Sequence, residues 1–159
     1  MLRVLFAGLL VLAAAPAGAQ YKVSEIVAKG GQVMNAEQIR AELAGKTLAG
    51  TTETGFQIEI ELRRDGTTGG MVYSPRGQAS GVSGRWTVNA KNQVCGETTF
   101  LAWGHTVKRC NWYWKVGDEY YATNSRTDDE AAEKFVECLM SGGKECDGGF
   151  SVSKRTVKK

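Results

Sequence analysis

The chain has 159 residues, with 20 lysines and arginines against 17 aspartates and glutamates and a formal net charge of +3 at pH 7. So small an excess excludes a strong general attraction to nucleic acid or to acidic lipid. Twenty glycines and two prolines predict many tight turns and few rigid linkers. The length suits one domain with one hydrophobic core.

Residues 1–19 have the layout of a secretory signal peptide. One positive charge, Arg3, precedes an apolar run over residues 4–15, and small residues lead up to Ala19. The apolar run is shorter than the roughly 20 residues that a membrane span needs. We therefore expect cleavage after Ala19 and a mature monomer in the bacterial periplasm or outside the cell, with a net charge of +2 and no membrane span.

Residues 20–33 show no clear period and predict a flexible lead-in to a single domain over residues 34–150. A short helix follows, because Asn35 and Gln38 have the spacing of a capping box. Gly45 is placed to end that helix.

The middle of the chain reads as β-structure. Apolar residues alternate with polar ones over residues 56–63, which is the period of a strand with one buried face. Asp65 and Gly66 make a hairpin turn, and further alternating segments reach residue 123. The pattern predicts six or seven antiparallel strands joined in a meander.

After the sheet, residues 127–130 form a second capping box and predict a C-terminal helix that ends at Gly142 and Gly143. Residues 151–159 read as a basic tail. Such a tail is expected to stay mobile and hydrated, with contact to acidic envelope polymers or anionic lipid surfaces as the alternative.

The four cysteines all lie in the mature chain, and an even number in an exported protein predicts disulfides. Three pairings are possible, and we favour Cys95 with Cys110 and Cys138 with Cys146, because each pair is close in sequence. With no C-x-x-C spacing and a single histidine, neither a metal site nor redox chemistry nor any cofactor is expected.

A bond between Cys95 and Cys110 on neighbouring strands fixes their register. Glu97 then faces Lys108, and Thr99 faces Thr106. The hairpin tip falls at residues 102–104. One face of the second strand, with Trp112 and Trp114, is expected in the core, and the other, with Arg109, Asn111, Tyr113 and Lys115, in solvent. Gln93 falls on the buried side, and a bulge near it would absorb the mismatch.

The candidate binding residues are Trp103, His105 and Arg109, at or near this tip. An exposed loop tryptophan is a candidate contact for a partner protein or a glycan. The alternative is that Trp103 folds back onto Phe100. His105 lacks a visible nucleophile and orienting carboxylate, so no catalytic residue is assigned. A pair of strand glutamates, Glu59 and Glu61, reads as a solvated face.

A series of short motifs resembles a loose group of small exported bacterial proteins of unknown function. The motifs are L-x-G-x-T from Leu48, D-G at Asp65, G-x-W from Gly84, and the cysteines Cys95 and Cys110. The resemblance covers about residues 36–121 and implies a short helix before an antiparallel sheet. The sequence after Cys95, GETT, replaces an expected aromatic, and the group brings no established active site.

The fold class predicted is α+β and mainly β. It consists of an antiparallel meander sheet or a small, partly closed barrel, with a short N-terminal helix, a C-terminal helix and two disulfides. The leading function is a non-enzymatic binding or accessory module of the cell envelope, whose partner is an envelope protein or a glycan. The alternative is a calycin-like carrier of a small apolar ligand, and a hydrolase is third.

Overall fold

The computed structural model describes residues 21–125 and 150–158. The signal peptide, the second capping box and its helix, and the pairing of Cys138 with Cys146 lie outside the described residues. The helices and strands within them are α1 (Val23–Ala28), β1 (Gln32–Val33), α2 (Ala36–Glu42), β2 (Lys46–Thr51), β3 (Gln57–Leu62), β4 (Thr67–Tyr73), β5 (Ala79–Val88), β6 (Val94–Phe100), β7 (His105–Val116), β8 (Glu119–Ser125) and β9 (Phe150–Lys158).

Eight of the strands form a closed antiparallel barrel. Strands β2 to β8 pair in chain order, and β9 pairs with both β8 and β2 to close the ring. The short β1 pairs with the second half of β7 outside the ring. A barrel of eight strands has an interior that side chains just fill or that holds one small ligand. The mainly β prediction is confirmed, and the sheet is fully closed.

The last strand corrects the prediction of a basic tail. Residues 150–158 are strand β9, in which Val152 is buried. Two basic side chains of β9 have acidic partners: Lys154 pairs with Glu119 of the adjacent strand β8, and Lys158 Nζ lies 2.6 Å from Glu59 Oε1 of β3, one strand beyond β2. Strand pairing satisfies the backbone hydrogen bonds of the segment, and the ion pairs compensate for two of its positive charges. The basic segment can therefore lie between two other strands of the barrel.

The segment before the domain also differs from the expected lead-in, since residues 23–28 form helix α1. Its buried residues, Val23 and Ile26, pack on the outside of the barrel. The resulting outer cluster consists of Val23, Ile26, Trp112, Trp114, Tyr121 and Val152. A six-residue helix is stabilised mainly by such packing, which explains why its sequence carries little signal of its own.

Helix α2 packs its apolar side against the barrel core, and its predicted start is confirmed. The Asn35 side chain accepts a bond of 2.9 Å from the Gln38 N–H, and the Gln38 side chain accepts one of 2.9 Å from the Asn35 N–H. Ile39 and Leu43 are fully buried. The inner cluster that they join consists of Met34, Ile39, Leu43, Ala44, Leu48, Leu62, Trp86, Val94, Tyr113 and Ala122.

Strand β7 is buried on both faces in its second half, which corrects one expectation. Trp112 and Trp114 are buried as predicted, although in the outer cluster beneath α1, whereas Tyr113 belongs to the inner cluster and is only 6% exposed. The face expected in solvent therefore points, at Tyr113, into the barrel. A strand covered by a helix on one side and by a barrel interior on the other has no wet face there.

The predicted hairpin register is confirmed. Cys95 pairs opposite Cys110 and forms the disulfide, and Thr99 pairs opposite Thr106, with their hydroxyl oxygens 2.8 Å apart. Gln93 is buried, but its side-chain oxygen accepts a bond of 2.7 Å from the amide of Asn89. The turn over residues 89–93 thus satisfies the polar side chain that looked misplaced.

Candidate functional site

The connections of the barrel separate its two ends. Residues 52–56, 74–78 and 101–104 join successive strands at one end, here called the loop end. Helix α2 lies at the other end, where its first N–H, that of Ala36, donates to the Asn92 side chain in the turn between β5 and β6. Because the strands run antiparallel, the tip of the β6–β7 hairpin belongs to the loop end.

Four rings meet at the loop end, in a set called here the aromatic cluster: Phe56, Phe100, Trp103 and His105. The Trp103 ring stacks on Phe100 with centroids 5.2 Å apart and meets Phe56 edge-on at 6.0 Å. The His105 ring also stacks on Phe100, with the two ring centroids 4.9 Å apart. Trp103 therefore folds back onto Phe100, which was one of the two alternatives that the sequence left open. The Trp103 side chain is half-buried, and His105 is exposed.

Backbone bonds hold the hairpin tip against strand β5. The Leu101 N–H donates to the Gly81 carbonyl at 2.9 Å, and the Ala102 N–H donates to the Ser80 hydroxyl at 3.1 Å. Gly104 completes the turn with a φ of +67°, a region that glycine enters without strain. The tip is thus anchored to the barrel wall, which limits its conformational freedom.

An exposed apolar strip continues from this tip over the outside of the barrel. Leu101 is 62% exposed, and its side chain lies over Gly81. The residue opposite Gly81 on β4 is Met71, which is 36% exposed, and Tyr73 on the same face is 39% exposed. The sequence pattern does not reveal this strip, because Met71 and Tyr73 lie on β4 and Leu101 lies on a different hairpin.

The structure brings Trp103 and His105 together but leaves Arg109 apart. Arg109 is exposed on β7 opposite Gly96, four residues beyond His105. At about 3.3 Å per residue, that places it roughly 13 Å along the strand. Arg109 is therefore not part of the aromatic cluster.

The remaining candidate chemistry lies on separate surfaces. Glu61 bonds Arg63 at 2.9 Å, and Glu59 pairs with Lys158, so both carboxylates sit in exposed ion pairs. Within residues 21–125 and 150–158, no group of three or more His, Cys, Asp or Glu side chains is placed to hold a metal ion. No helix in that part of the chain is long and apolar enough to cross a membrane.

A second polar site, missed by the sequence reading, lies inside the barrel. Arg155 of β9 is only 8% exposed, and its guanidinium lies near the Tyr113 side chain, where its charge acts to lower the pKa of the phenol. Its Nη1 also donates to the carbonyls of Lys154 at 3.1 Å and Thr51 at 3.4 Å. Burial lowers the pKa of Arg155 and raises the pKa of Tyr113. One sequence signal for this site exists: Arg155 lies two residues from Val157, and residues two apart on a strand share a face.

A carboxylate ties α2 to the barrel. Glu42 Oε2 accepts from Lys115 Nζ at 2.7 Å and from the Tyr120 hydroxyl at 2.5 Å. The Lys115 bond is the main cause that holds the pKa of Glu42 below its usual value. A cleft of about 310 Å³ lies beside Lys115. The group's bonds are all internal, so we interpret it as structural.

Comparison with known proteins adds no relative: the chain matches no family model, no curated protein and no solved structure. What the fold itself defines is a closed eight-stranded antiparallel barrel with a helix packed at one end and an aromatic cluster at the other.

Proposed function

We propose that this protein is an exported, non-enzymatic binding module of the cell envelope and that its loop end takes the partner, an envelope protein or a glycan. The observation that carries the proposal is the Leu101 tip. It exposes a large apolar side chain, continuous with Met71 and Tyr73, on a hairpin that is tied to the barrel. Contiguous exposed apolar surface of this kind marks interaction sites.

The rigidity of the tip favours binding. Association loses free energy when flexible loops and side chains become ordered, and pre-organised surfaces lose less. Here the ring of Trp103 is already stacked, and two backbone bonds already fix residues 101 and 102. Leu101 and His105, both exposed on the same hairpin, then offer one apolar and one polar contact.

The disulfide between Cys95 and Cys110 supports the compartment that the proposal requires. Disulfides persist in oxidising spaces such as the periplasm and are rare in the cytosol. The signal-peptide layout of residues 1–19 supports the same location.

The sharpest variant for testing the loop end is Leu101→Asp. Trp103→Ala is less suitable, because losing the contacts with Phe56 and Phe100 would itself lower stability by about 1–2 kcal/mol. Ala90→Asp is a matched control, since Ala90 is an exposed apolar residue in a turn at the opposite end. Both changes are expected to leave the unfolding free energy within about 0.5 kcal/mol of wild type.

The experiment is a pull-down from envelope extract with the three immobilised mature proteins. We expect a species retained by wild type and by Ala90→Asp and lost from Leu101→Asp. Equal retention by all three proteins would reject the loop end as the binding surface.

A carrier of a small ligand is the second candidate, and the closed barrel favours it. The inner cluster fills the part of the interior next to α2. A ligand would therefore lie nearer the loop end. Native mass spectrometry of protein purified from its own host tests this reading. A retained small molecule supports the carrier, and bare protein counts against it.

A further inference from the structure

A buried positive charge inside the barrel forms no ion pair with any carboxylate of residues 21–125 and 150–158. Arg155 lies opposite Tyr120 on β8 and shares its inward face with Val157, which packs against the inner cluster. Its side chain is more than nine-tenths buried, and its Nε has no hydrogen-bond partner among the residues that the structure describes. Taking an ion out of water costs several kcal/mol unless a counter-charge and further hydrogen bonds compensate for the loss.

In the part of the chain that the structure describes, the partners of Arg155 are neutral. They are the Tyr113 side chain and the carbonyls of Thr51 and Lys154. Among residues 21–125 and 150–158, no carboxylate forms an ion pair with this guanidinium, although Glu53 at the loop end attracts it from a distance. The neighbouring basic residues of β9, Lys154 and Lys158, each have a carboxylate. Arg155, the basic residue of β9 that faces the interior, has no such carboxylate in the part of the chain that the structure describes.

The surroundings of Arg155 leave space for its side chain and are largely apolar. A Cβ on Gly50 would stand 2.5 Å from the Lys154 carbonyl oxygen and 3.0 Å from Nη1 of Arg155, so glycine is needed first for the close backbone and also leaves room for the guanidinium. In register, Gly50 pairs with Ile58, and Ile58 pairs with Val72, which is buried. The contact with the Thr51 carbonyl places the charge close to the loop end, where β2 finishes.

The chemistry of this pair points to one class of ligand. The guanidinium fork matches a carboxylate in two parallel N–H···O bonds, and it has an unused Nε–H. Tyr113 lies near the guanidinium, and its hydroxyl proton can be donated to an anion held there. We propose that Arg155 and Tyr113 form an anion site inside the barrel that binds the carboxylate of a small carboxylic acid with an apolar chain. This site is independent of the partner surface around Leu101.

The test uses octanoate as the probe and octanol as its uncharged counterpart, each titrated into the folded mature protein by calorimetry. Octanoate is expected to bind about tenfold or more tightly than octanol, because only the acid makes charge-assisted bonds. Arg155→Gln should remove that preference, and Tyr113→Phe should weaken octanoate severalfold while leaving octanol unchanged. Leu101→Asp should leave octanoate binding as in wild type, which separates this site from the partner surface.

Three results would overturn the site. They are equal binding of acid and alcohol, binding of neither, and an octanoate preference that survives in Tyr113→Phe and in a folded Arg155→Gln. If Arg155→Gln does not fold, Tyr113→Phe and the acid-to-alcohol ratio decide, because losing one hydroxyl keeps the ring in the inner cluster. Binding of inorganic phosphate in place of octanoate would overturn the carboxylate assignment.

Discussion

Replacing Val152 with alanine measures directly whether residues 150–158 are a strand of the barrel or a hydrated tail. Val152 is 8% exposed in the outer cluster, against Trp112, Trp114 and Tyr121. The change deletes two buried methyl groups, each worth about 0.8 kcal/mol of transfer free energy, and leaves a cavity that adds to the loss. We expect the unfolding free energy to fall by about 2 kcal/mol and the melting temperature to fall by about 8 °C.

Thr156→Ala is the matched control, because Thr156 is exposed on the same strand. It reports the lower strand propensity of alanine, below about 1 kcal/mol, without any loss of burial. Urea unfolding followed by tryptophan fluorescence gives both values, and the excess for Val152→Ala is the burial effect. Equal unfolding midpoints for the two variants would show that Val152 is not buried, and they would favour a solvated tail over a strand.

Two other predictions concern the cross-links of the fold. Replacing both Cys95 and Cys110 with serine should lower the unfolding free energy by about 3 kcal/mol in urea, because the bond closes a loop across a sequence separation of 15; an unchanged midpoint would contradict this. The pKa of Glu42 is lowered because Lys115 and Tyr120 hydrogen-bond its carboxylate. The ionised carboxylate therefore stabilises the fold above the unfolded-state pKa of 4.5, and this stabilisation is lost as the pH falls through the lower pKa of the folded state. Glu42→Gln should therefore flatten the fall in melting temperature between about pH 5 and pH 3, and an unaltered pH profile would count against the assignment.

Local patterns predicted much of this fold. Alternation over residues 57–62 marked strand β3, and the capping residues Asn35 and Gln38 marked the start of α2. The assumed bond from Cys95 to Cys110 set the β6–β7 register correctly, because one fixed pair determines every other pair on two antiparallel strands. In each case the signal lay within a few residues or within one hairpin.

The features that the sequence did not predict, strand β9 and the two-sided burial of β7, depend on contacts between distant parts of the chain. Strand β9 pairs with β2, about a hundred residues earlier in the chain, and nothing local in its basic sequence marks that pairing. Tyr113 alternates with two tryptophans in a pattern that looks half-buried until a barrel interior and helix α1 cover both faces. Two-sided burial depends on closure of the sheet, which is a property of the whole chain.

The candidate site was predicted only in part. The position of Trp103 at a hairpin tip followed from the register, and its stacking on Phe100 was one of two readings. The strip of Met71, Tyr73 and Leu101 joins two hairpins, and spacing within either hairpin does not reveal it. Arg155 likewise acquires its interior setting only when β9 closes the barrel.

The most direct test of the proposed function is site-specific photo-crosslinking in the intact cell. A benzophenone side chain replaces Leu101 in one variant and Ala90 in the other, which keeps both positions apolar and places the probes at opposite ends of the barrel. We predict a discrete crosslinked envelope partner from position 101 and none from position 90. Adducts from position 90 alone, or the same set from both positions, would contradict the loop end as the binding surface.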